Sequence, residues 1–199
     1  METIRGKTSL ELTATELKER LAGYKHTLLD LGTGDGRYVC HIAKQNPDRF
    51  FIGIDACREN LRLHSRKKRP NALFLIANAQ ALPVELNGLA SHVTINFPWG
   101  SLLESLLKDN DALISTLKTV TRPSAEMIIH LNGEALSTVG WTLESGAEQI
   151  QRILSAEGWK TKSHFCMDTH LLRHFPSTWA KRLAFGRDPR AIQLTFQKQ

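Results

Sequence analysis

The sequence contains few cysteines and no long hydrophobic run. Of its 199 residues three are cysteines, Cys40, Cys57 and Cys166, which lie far apart and form no CxxC pair. Scattered single thiols are typical of a reducing compartment, so we expect buried thiols and no disulfide. No apolar stretch approaches the roughly 20 residues of a membrane-spanning helix, and the first residues, METIRGKTSLEL, lack the apolar core of a secretory signal. We therefore expect a cytoplasmic protein without a membrane segment.

Metal-ligand patterns are also scarce. Cys166, His170 and His174 are spaced by four residues, so on a helix their side chains would share one face. A tetrahedral site needs a fourth ligand, and none is evident in the sequence, so we predict no metal. Three further histidines are interpreted as ordinary core or surface residues: His41, His92 and His130.

Length and composition favour one globular domain. With 41% apolar residues, the 199 residues can bury one sizeable core and leave no room for a second independent domain. Strand-like and helix-like segments alternate five times and end in a strand pair. This order predicts an α/β protein with a Rossmann-like, mostly parallel sheet of seven strands and a small N-terminal hairpin in residues 1–12. We expect residues 1–199 to form a single domain.

A glycine-rich segment carries the clearest functional signal. Thr27–Gly36 reads TLLDLGTGDG, in which a short apolar run ends at Asp30 and glycines follow at alternate positions. Glycine can adopt a positive φ and lets a ligand approach the backbone, and a helix beginning near Arg37 would offer free N–H groups. A strand followed by such a loop predicts a cofactor site at the carboxyl end of the sheet.

The next two strands add residues to the same edge of the sheet. The strand FFIGID ends in Asp55, and a carboxylate at this place binds the ribose hydroxyls of nucleoside cofactors in doubly wound folds. The third strand is followed by NAQALP, whose backbone, with Asn78 or Gln80, is placed to contact an adenine ring. We therefore expect an adenosine-containing ligand in one cleft at the strand ends.

The spacing and charge of the loop narrow the choice of cofactor. The order G-x-G-x-G differs from the G-x-G-x-x-G of nicotinamide sites, and Asp30, Asp35 and Asp55 would repel a pyrophosphate. S-adenosylmethionine (SAM) has no phosphate and carries a sulfonium and an ammonium cation, so it is the predicted ligand. A glycine-rich turn with solvated acids and no ligand remains the alternative, and Asp35 can bind cofactor or cap the following helix.

Positive charge is concentrated in two clusters. The net charge is +6, and the first cluster follows the Asp55 strand, with Arg62 and HSRKKR from His64 to Arg69. The second lies near the C-terminus: Lys181, Arg182, Arg187 and Arg190. Two basic clusters far apart in sequence favour a polyanion such as RNA, although cations at solvated helix ends would give the same pattern.

Several motifs are similar to those of one known family. They are DLGTGDGR at Asp30–Arg37, IGID at Ile52–Asp55 with ENL at Glu59–Leu61, LP at Leu82 and Pro83, FPWGSLLE at Phe97–Glu104 and WAKRLAFGR at Trp179–Arg187. With these motifs the chain resembles the aminoglycoside-resistance 16S rRNA methyltransferases that act on N1 of adenine 1408. Many methyltransferases share the glycine-rich loop, whereas FPWG together with WAKRLAFGR is a much narrower signature. The resemblance implies a class I methyltransferase fold and SAM-dependent methylation of the decoding site in the 30S subunit.

The resemblance also implies roles for individual residues. The implied cofactor-binding residues are Asp30, Gly32, Thr33, Gly34, Asp55, Ala56, Ala79, Gln80, Trp99 and Ser177. Trp99 and Trp179 would be catalytic, stacking on the two faces of an adenine flipped out of the RNA. The implied RNA-binding residues are Arg62, Arg66, Lys67, Lys68, Arg69, Arg182 and Arg187. The family usually carries a glutamate where this chain has Gln80, whose amide oxygen can still accept a hydrogen bond but has no charge.

The chemistry of adenine N1 requires no catalytic base. This nitrogen has an in-plane lone pair and no proton, so it attacks the methyl carbon directly, and aromatic faces stabilise the cation that develops on the purine. N1 lies on the Watson–Crick edge, so the base must leave its stack or be unpaired already. Catalysis is then mainly alignment of acceptor, methyl group and sulfur.

Other interpretations of the sequence stay open. Trp99 and Trp179 also fit packing positions, the role that we assign to Trp141 and Trp159. The protein is alternatively a methyltransferase of another RNA or a small molecule, or a non-catalytic RNA-binding protein with a vestigial cofactor pocket. A monomer is the default expectation.

Overall fold

The computed structural model describes residues 1–109, 111–186 and 188–199. The strands in these residues are β1 (Glu2–Arg5), β2 (Thr8–Glu11), β3 (His26–Leu31), β4 (Arg49–Asp55), β5 (Ala72–Ile76), β6 (Ala90–Asn96), β7 (Thr121–Asn132), β8 (Trp159–Met167) and β9 (Ala191–Lys198). The helices are α1 (Ala14–Leu21), α2 (Arg37–Gln45), α3 (Arg58–Leu61), α4 (Gly100–Leu106), α5 (Ala112–Val120), α6 (Gly133–Thr138), α7 (Leu143–Ala156), α8 (Thr169–His174) and α9 (Thr178–Ala184). None of the helices in the described part of the chain is both long and apolar enough to cross a membrane.

All described strands join one sheet, in the order β2-β1-β5-β4-β3-β6-β7-β9-β8. The five strands from β5 to β7 in this order are parallel, and β9 runs antiparallel to both of its neighbours. These are the seven predicted strands, so the mostly parallel α/β sheet is confirmed. The number seven is wrong for the whole sheet, because β1 pairs with β5 and the hairpin adds two strands. The hairpin thereby covers an edge that would otherwise be open.

The sheet separates two hydrophobic layers. On one face Val39, Cys40 and Ala43 of α2 pack against Phe51 and Phe74 of the sheet. The larger core lies on the other face, where α4, α5, α6 and α7 bury their apolar side chains. Neighbouring residues of a strand point to opposite faces, so Asp30, Thr94 and Asn96 lie on the α2 face while their apolar neighbours in β3 and β6 enter the larger core.

The basic segment after β4 differs from the prediction. The sequence pattern after Asp55 predicts a helix from about Arg58 to Lys67, but α3 ends at Leu61 and the chain continues as turns. Leu61 is fully buried whereas Leu63 is 55% exposed, so a longer helix would have no second apolar position to bury. The Ser65 hydroxyl instead accepts a hydrogen bond of 2.8 Å from the Gly6 backbone nitrogen of the hairpin.

Three short helices, α6, α8 and α9, had no predicted counterpart. Each is N-capped by a polar side chain, from Asn132, Asp168 and Ser177 respectively. Helices of six or seven residues show little periodicity and are stable only through caps and tertiary packing. The cysteines differ from expectation as well: all three are free, but Cys57 and Cys166 are exposed and only Cys40 is buried.

The topology creates a crevice at the carboxyl ends of β3 and β6. From β3 the chain continues to β4 and β5 on one side, and it returns to β6 and β7 on the other. Ligands bind at such a switch point in open α/β sheets. The glycine-rich loop follows β3 and the FPWG segment follows β6, so both predicted motifs border this crevice.

Candidate cofactor and acceptor site

Two adjoining cavities open at the crevice. One of about 310 Å³ is bordered by Asp55, Ala56, Ala79, Gln80 and Trp99. The other, of about 290 Å³, is bordered by Asp30, Thr33, Asp35, Ser177 and Arg182. Gly32, Gly34 and Trp179 line both. Every cofactor-binding residue that the resemblance implied therefore lines one of two connected spaces, each of a size that holds small ligands.

The glycine-rich loop is shaped by its backbone. Gly32, Gly34 and Gly36 have φ angles of 69°, 58° and 75°, which residues with a Cβ rarely adopt. A Cβ on Gly32 would lie 2.6 Å from the Leu102 side chain and one on Gly36 would collide with the Phe74 ring, but Gly34 faces open space. The missing side chain of Gly34 is thus the one that leaves room for a ligand.

Asp55 is held in place by hydrogen bonds from three donors. Its Oδ2 accepts from the Gly34 nitrogen at 2.8 Å, and its Oδ1 accepts from the Cys57 nitrogen at 2.9 Å and from Asn60 Nδ2 at 3.2 Å. A carboxylate offers about four acceptor positions, so one remains for a ligand hydroxyl. The side chain therefore closes the glycine-rich loop and still faces the first cavity.

Asp30 is a buried carboxylate with one unpaired oxygen. Its Oδ1 accepts hydrogen bonds from Thr94 Oγ1 at 2.6 Å and from Asn96 Nδ2 at 2.7 Å. Its Oδ2 has no partner among the described residues. Burial raises the pKa of Asp30 to about 6 and the charge of Asp55 adds to the rise, although the side chains of Thr33, Thr94 and Asn96 act in the opposite direction. A cationic ligand at the free oxygen would compensate for this cost.

The geometry favours a structural role for Asp35. Its Oδ1 accepts from the Arg37 nitrogen at 3.0 Å, in the first turn of α2, and its Oδ2 accepts from Thr178 Oγ1 at 2.7 Å. Both oxygens are thus engaged by the protein, and one of the bonds connects the glycine-rich loop to α9. The sequence did not indicate Thr178, since this contact joins segments that are distant along the chain.

The Gln80 side chain is engaged by neighbouring residues. Its Nε2 donates to Ser105 Oγ and lies 3.5 Å from Asp111 Oδ1. The same Asp111 oxygen accepts from the Leu113 nitrogen at 2.9 Å and caps α5. A neutral amide suits this position, because a carboxylate would stand next to the carboxylate of Asp111.

Gln80→Glu is expected to destabilise the protein and to leave SAM affinity no better. The like charges of Glu and Asp111 would replace a favourable contact, at a cost of about 1 kcal/mol in the free energy of unfolding at pH 7. Thermal or urea unfolding measures this change. Adding Asp111→Asn should restore the lost stability, and a more stable Gln80→Glu variant would contradict the explanation.

Trp99 and Trp179 come together at the mouth of the cavities. Trp99 follows β6 and precedes α4, whereas Trp179 lies in α9 and is 41% exposed. Their ring centroids are 5.7 Å apart and the ring planes differ by 29°. A base between two rings needs a separation of about 7 Å, twice the contact distance of carbon atoms. The rings must therefore move apart by more than an ångström to hold an adenine.

Ser177 and Arg182 support the exposed tryptophan from α9. The Ser177 hydroxyl accepts from the Ala180 nitrogen at 3.2 Å, so it caps the helix that carries Trp179. The guanidinium carbon of Arg182 lies 5.2 Å from the centre of the Trp179 ring, which places a cation beside the aromatic face. Both residues line the second cavity.

The first basic cluster forms its own concave surface. Lys67, Lys68 and Arg69 line a cavity together with Arg5 of β1 and Arg20 of α1. Sequence reasoning missed these two arginines, because only the pairing of β1 with β5 brings the N-terminal segment beside the cluster. Two members are engaged locally: Arg62 pairs with Glu59 at 2.9 Å, and Arg66 Nε donates to the Arg62 carbonyl oxygen at 3.3 Å. The RNA-binding prediction for Arg187 falls outside the described residues.

The spaced Cys and His residues do not share a helix face. Cys166 belongs to β8, while His170 and His174 lie in α8 with ring centroids 4.4 Å apart. Within residues 1–109, 111–186 and 188–199, no group of three or more His, Cys, Asp or Glu side chains is arranged to hold a metal ion.

Comparison with known proteins identifies the family. The model of the NpmA family, 16S rRNA (adenine(1408)-N(1))-methyltransferase, matches residues 2–198. A curated 16S rRNA (adenine(1408)-N(1))-methyltransferase from Escherichia coli is 34% identical over 208 residues, covering 94% of this chain and 94% of its own. The crystal structure of 16S rRNA methyltransferase KamB has a TM-score of 0.90 and 28% identity, covering 100% of both chains.

A further solved structure shares the fold at lower identity. It is that of a mutant 16S rRNA (adenine(1408)-N(1))-methyltransferase with cosubstrate SAM from Catenulisporales acidiphilia. Its TM-score is 0.86 at 22% identity, covering 100% of this chain and 96% of that chain. The sheet therefore has the class I methyltransferase fold, and the chain belongs to the 16S rRNA (adenine(1408)-N(1))-methyltransferase family.

Proposed function

We propose that this chain methylates N1 of adenine 1408 of 16S rRNA in the 30S subunit, with SAM as the methyl donor, and so confers aminoglycoside resistance. The observation that carries the proposal is the convergence of Trp99 and Trp179 over cavities lined by Asp30 and Asp55. The methyl group would add steric bulk and positive charge where cationic drugs bind.

The residues present fit SAM. The unpaired, buried Oδ2 of Asp30 suits the ammonium group, and the open space at Gly34 leaves room for the ligand beside the backbone. The free acceptor position of Asp55 suits a ribose hydroxyl, and Ala79 with Gln80 borders the space for adenine. When bound, SAM supplies an electrophilic methyl group on a sulfonium.

The two tryptophans act by holding the acceptor base. Adenine N1 offers its lone pair without deprotonation, so no residue has to act as a base at this nitrogen. The faces of Trp99 and Trp179 would stabilise the positive charge that the purine gains with the methyl group, and they would exclude water from the site. Stacking on both faces also offsets the loss of stacking when the base leaves the RNA.

The basic residues are proposed to bind the rRNA backbone. Lys67, Lys68 and Arg69 form a cationic surface with Arg5, and Arg182 lies beside the acceptor site. Contacts with phosphates give affinity without sequence specificity and weaken as salt rises. The choice of nucleotide then comes from the shape of the surrounding RNA, because stacking on aromatic side chains accepts any base.

Removing the charge of two lysines should change the salt dependence of binding. In the Lys67→Gln/Lys68→Gln variant we expect weaker 30S binding at low salt and a slope of log K against log salt reduced by about 1 per lost phosphate contact. Filter binding at several salt concentrations measures both effects. The matched control is Lys160→Gln/Lys162→Gln, which neutralises two exposed lysines of the edge strand β8. Equal slopes in the two variants would contradict a role for the first pair.

The active form is proposed to be a monomer of one methyltransferase domain acting in the cytoplasm. One chain supplies both tryptophans and both acidic side chains of the site, so no second copy is needed to complete it. Pairing of β1 with β5 supports the inclusion of residues 1–12 in the same domain. The 30S subunit, the proposed substrate, lies in the cytoplasm.

Primer extension on modified ribosomes tests the function directly. Purified protein, labelled SAM and 30S subunits are incubated, and reverse transcription then stops at adenine 1408 if N1 carries a methyl group, because N1 methylation blocks base pairing. Label in RNA without a stop at this base would point to another target. No label, together with no calorimetric heat on adding SAM, would point to a non-catalytic RNA-binding protein.

A further inference from the structure

His130 occupies a buried position between the two halves of the site. It lies in β7 directly opposite Asn96 of β6, at the carboxyl ends of both strands, and is 3% exposed. Its Nδ1 is 2.8 Å from Asn96 Oδ1, and its Nε2 is 3.0 Å from Gln193 Oε1 in β9. Sequence reasoning treated it as an ordinary histidine, because these partners are adjacent only through the strand register.

One set of contacts leads from His130 to the cofactor-binding half. The Asn96 amide nitrogen donates to Asp30 Oδ1, so the amide oxygen of Asn96 must face His130. Burial lowers the pKa of His130 to about 4, so the ring is neutral at pH 7 and has a single N–H for two neighbouring amide oxygens, Asn96 Oδ1 and Gln193 Oε1. The Asn96 amide is fixed by its bond to Asp30, whereas turning the Gln193 amide lets its nitrogen donate to Nε2, so we assign the N–H to Nδ1, donating to Asn96. His130 thus fixes the amide orientation that presents a donor to Asp30.

A second set of contacts leads to the acceptor-binding half. The imidazole centroid lies 4.7 Å from that of Phe175 and 5.5 Å from that of Phe97, and the two phenyl rings are 5.4 Å apart. Phe97 precedes Trp99 by two residues and Phe175 precedes Trp179 by four. Each ring therefore anchors the start of a segment that carries one of the tryptophans.

The backbone at Phe97 shows that this packing holds a strained conformation. Phe97 has a φ of 53°, a value unfavourable for a bulky residue. Its nitrogen donates to the His130 carbonyl oxygen at 2.8 Å, and its side chain is 2% exposed. Strained residues persist where their surroundings fix them and cluster at functional sites.

We propose that His130 is a positioning residue that aligns Asp30 through Asn96 and aligns Trp99 and Trp179 through Phe97 and Phe175. This role rests on the proposed function of the site. It adds that the His130 side chain couples the cofactor-binding half of the site to the acceptor-binding half. The two contributions need different parts of the imidazole, since the N–H serves Asn96 and the aromatic ring serves the phenylalanines. They are therefore separable by substitution.

Two substitutions separate them. His130→Phe keeps an aromatic ring but removes the N–H, so SAM Kd should rise about tenfold with kcat at saturating SAM nearly unchanged. His130→Asn keeps an amide N–H but removes the ring, so SAM Kd should change little while kcat on 30S subunits falls about tenfold. A residue that only supports the fold would move both quantities together in both variants.

Further variants keep the test decisive if either protein fails to fold. Asn96→Ser removes the polar link without altering His130 and should reproduce the effect of His130→Phe. Phe175→Leu removes the aromatic contact and should reproduce that of His130→Asn. The matched control is His92→Phe. His92 lies on the same face of β6 as Asn96 but towards the other end of the strand, so this substitution should change neither SAM Kd nor kcat.

Calorimetry with SAM, primer extension on 30S subunits and tryptophan fluorescence give the readouts. A split between Kd and kcat supports the coupling, whereas parallel losses in both variants, or values like those of His92→Phe, overturn it. If the wild type does not methylate 30S subunits, the proposed function fails. Calorimetry and the fluorescence of the Trp99–Trp179 pair then still decide whether His130 aligns the two halves.

Discussion

Trp179→Ala should slow methylation of adenine 1408 in 30S subunits by about 10- to 100-fold, because alanine removes a stacking surface worth about 1–3 kcal/mol per base. Trp99→Ala should have an effect of the same size, and the double variant should be inactive. Trp179→Ala should still bind SAM nearly as tightly, since the proposed contacts of SAM are with Asp30, Asp55 and the glycine-rich loop, whereas Trp99→Ala should lose some affinity because Trp99 is also an implied cofactor-binding residue. Primer extension measures the rate, and calorimetry measures the binding of SAM.

Two further variants show that the loss arises from stacking. Trp179→Phe keeps an aromatic face and should retain more activity than Trp179→Ala. Trp141→Ala, which removes a partly exposed tryptophan packed at the edge of the larger core, should leave the rate nearly unchanged. Full activity in both Trp99→Ala and Trp179→Ala would refute the proposed role of the pair.

The rings of Trp99 and Trp179 contact each other in the free protein, so they must separate when the adenine binds. In the structure the tryptophans stack on each other with centroids 5.7 Å apart, so the adenine must replace one aromatic contact by two. The free enzyme keeps apolar surface out of water until the base arrives. Tryptophan fluorescence should therefore change on adding 30S subunits, and Trp179→Ala should remove most of that change.

Much of the sheet could be predicted because buried strands appear in the sequence as short apolar runs. The runs before Asp30 and Asp55 are apolar, strand-sized and end in a carboxylate, and the structure contains both strands. The charges of the basic segment did not indicate its secondary structure. Helix α3 ends at Leu61, because the following residues have no apolar face to bury. The pairing of β1 with β5 was also missed, because strand register is a property of the fold.

The residues of the candidate site also differ in how far the sequence predicts them. Motif residues such as Gly34 and Trp99 were predicted from their neighbours in the sequence, and both line the first cavity. The side chains that orient them could not be predicted, since Asn96 reaches Asp30 and Thr178 reaches Asp35 across distances of many residues along the chain. The alternatives for Asp35 needed the structure, which shows both oxygens engaged by protein donors.

Asp30→Asn is expected to stabilise the protein and at the same time to weaken SAM binding by about 100-fold. The amide avoids the cost of an ionised carboxylate in a buried position, and the pKa of about 6 for Asp30 corresponds to a gain of about 1–3 kcal/mol at pH 7.5. SAM binding suffers because an amide cannot neutralise the ammonium group and turns a donor towards it.

The stability advantage of Asp30→Asn over the wild type should depend on pH in a defined direction. The folded-state pKa of Asp30 is raised, so its ionisation destabilises the wild type above about pH 6, and the cost declines as pH falls from about 6 towards 3.8. The stability advantage of Asp30→Asn should therefore be roughly half as large at pH 5 as at pH 7.5. His130 has the opposite dependence, because its lowered pKa removes stability as pH falls from 6.5 to about 4. That contribution is common to both proteins and cancels in the difference.

SAM affinity should follow the same titration. The ion pair requires an ionised Asp30 and a protonated ammonium group, whose pKa as an α-amino group is about 8, so SAM Kd of the wild type should be lowest between about pH 7 and 8. It should rise about tenfold per pH unit well below pH 6, a rise that Asp30→Asn should lack. Asp35→Asn is the matched control: its oxygens serve Arg37 and Thr178, so it should bring no gain in stability and a smaller loss of affinity. An Asp30→Asn protein that is less stable yet binds SAM like the wild type would refute the assignment, because both effects follow from one unpaired, buried oxygen.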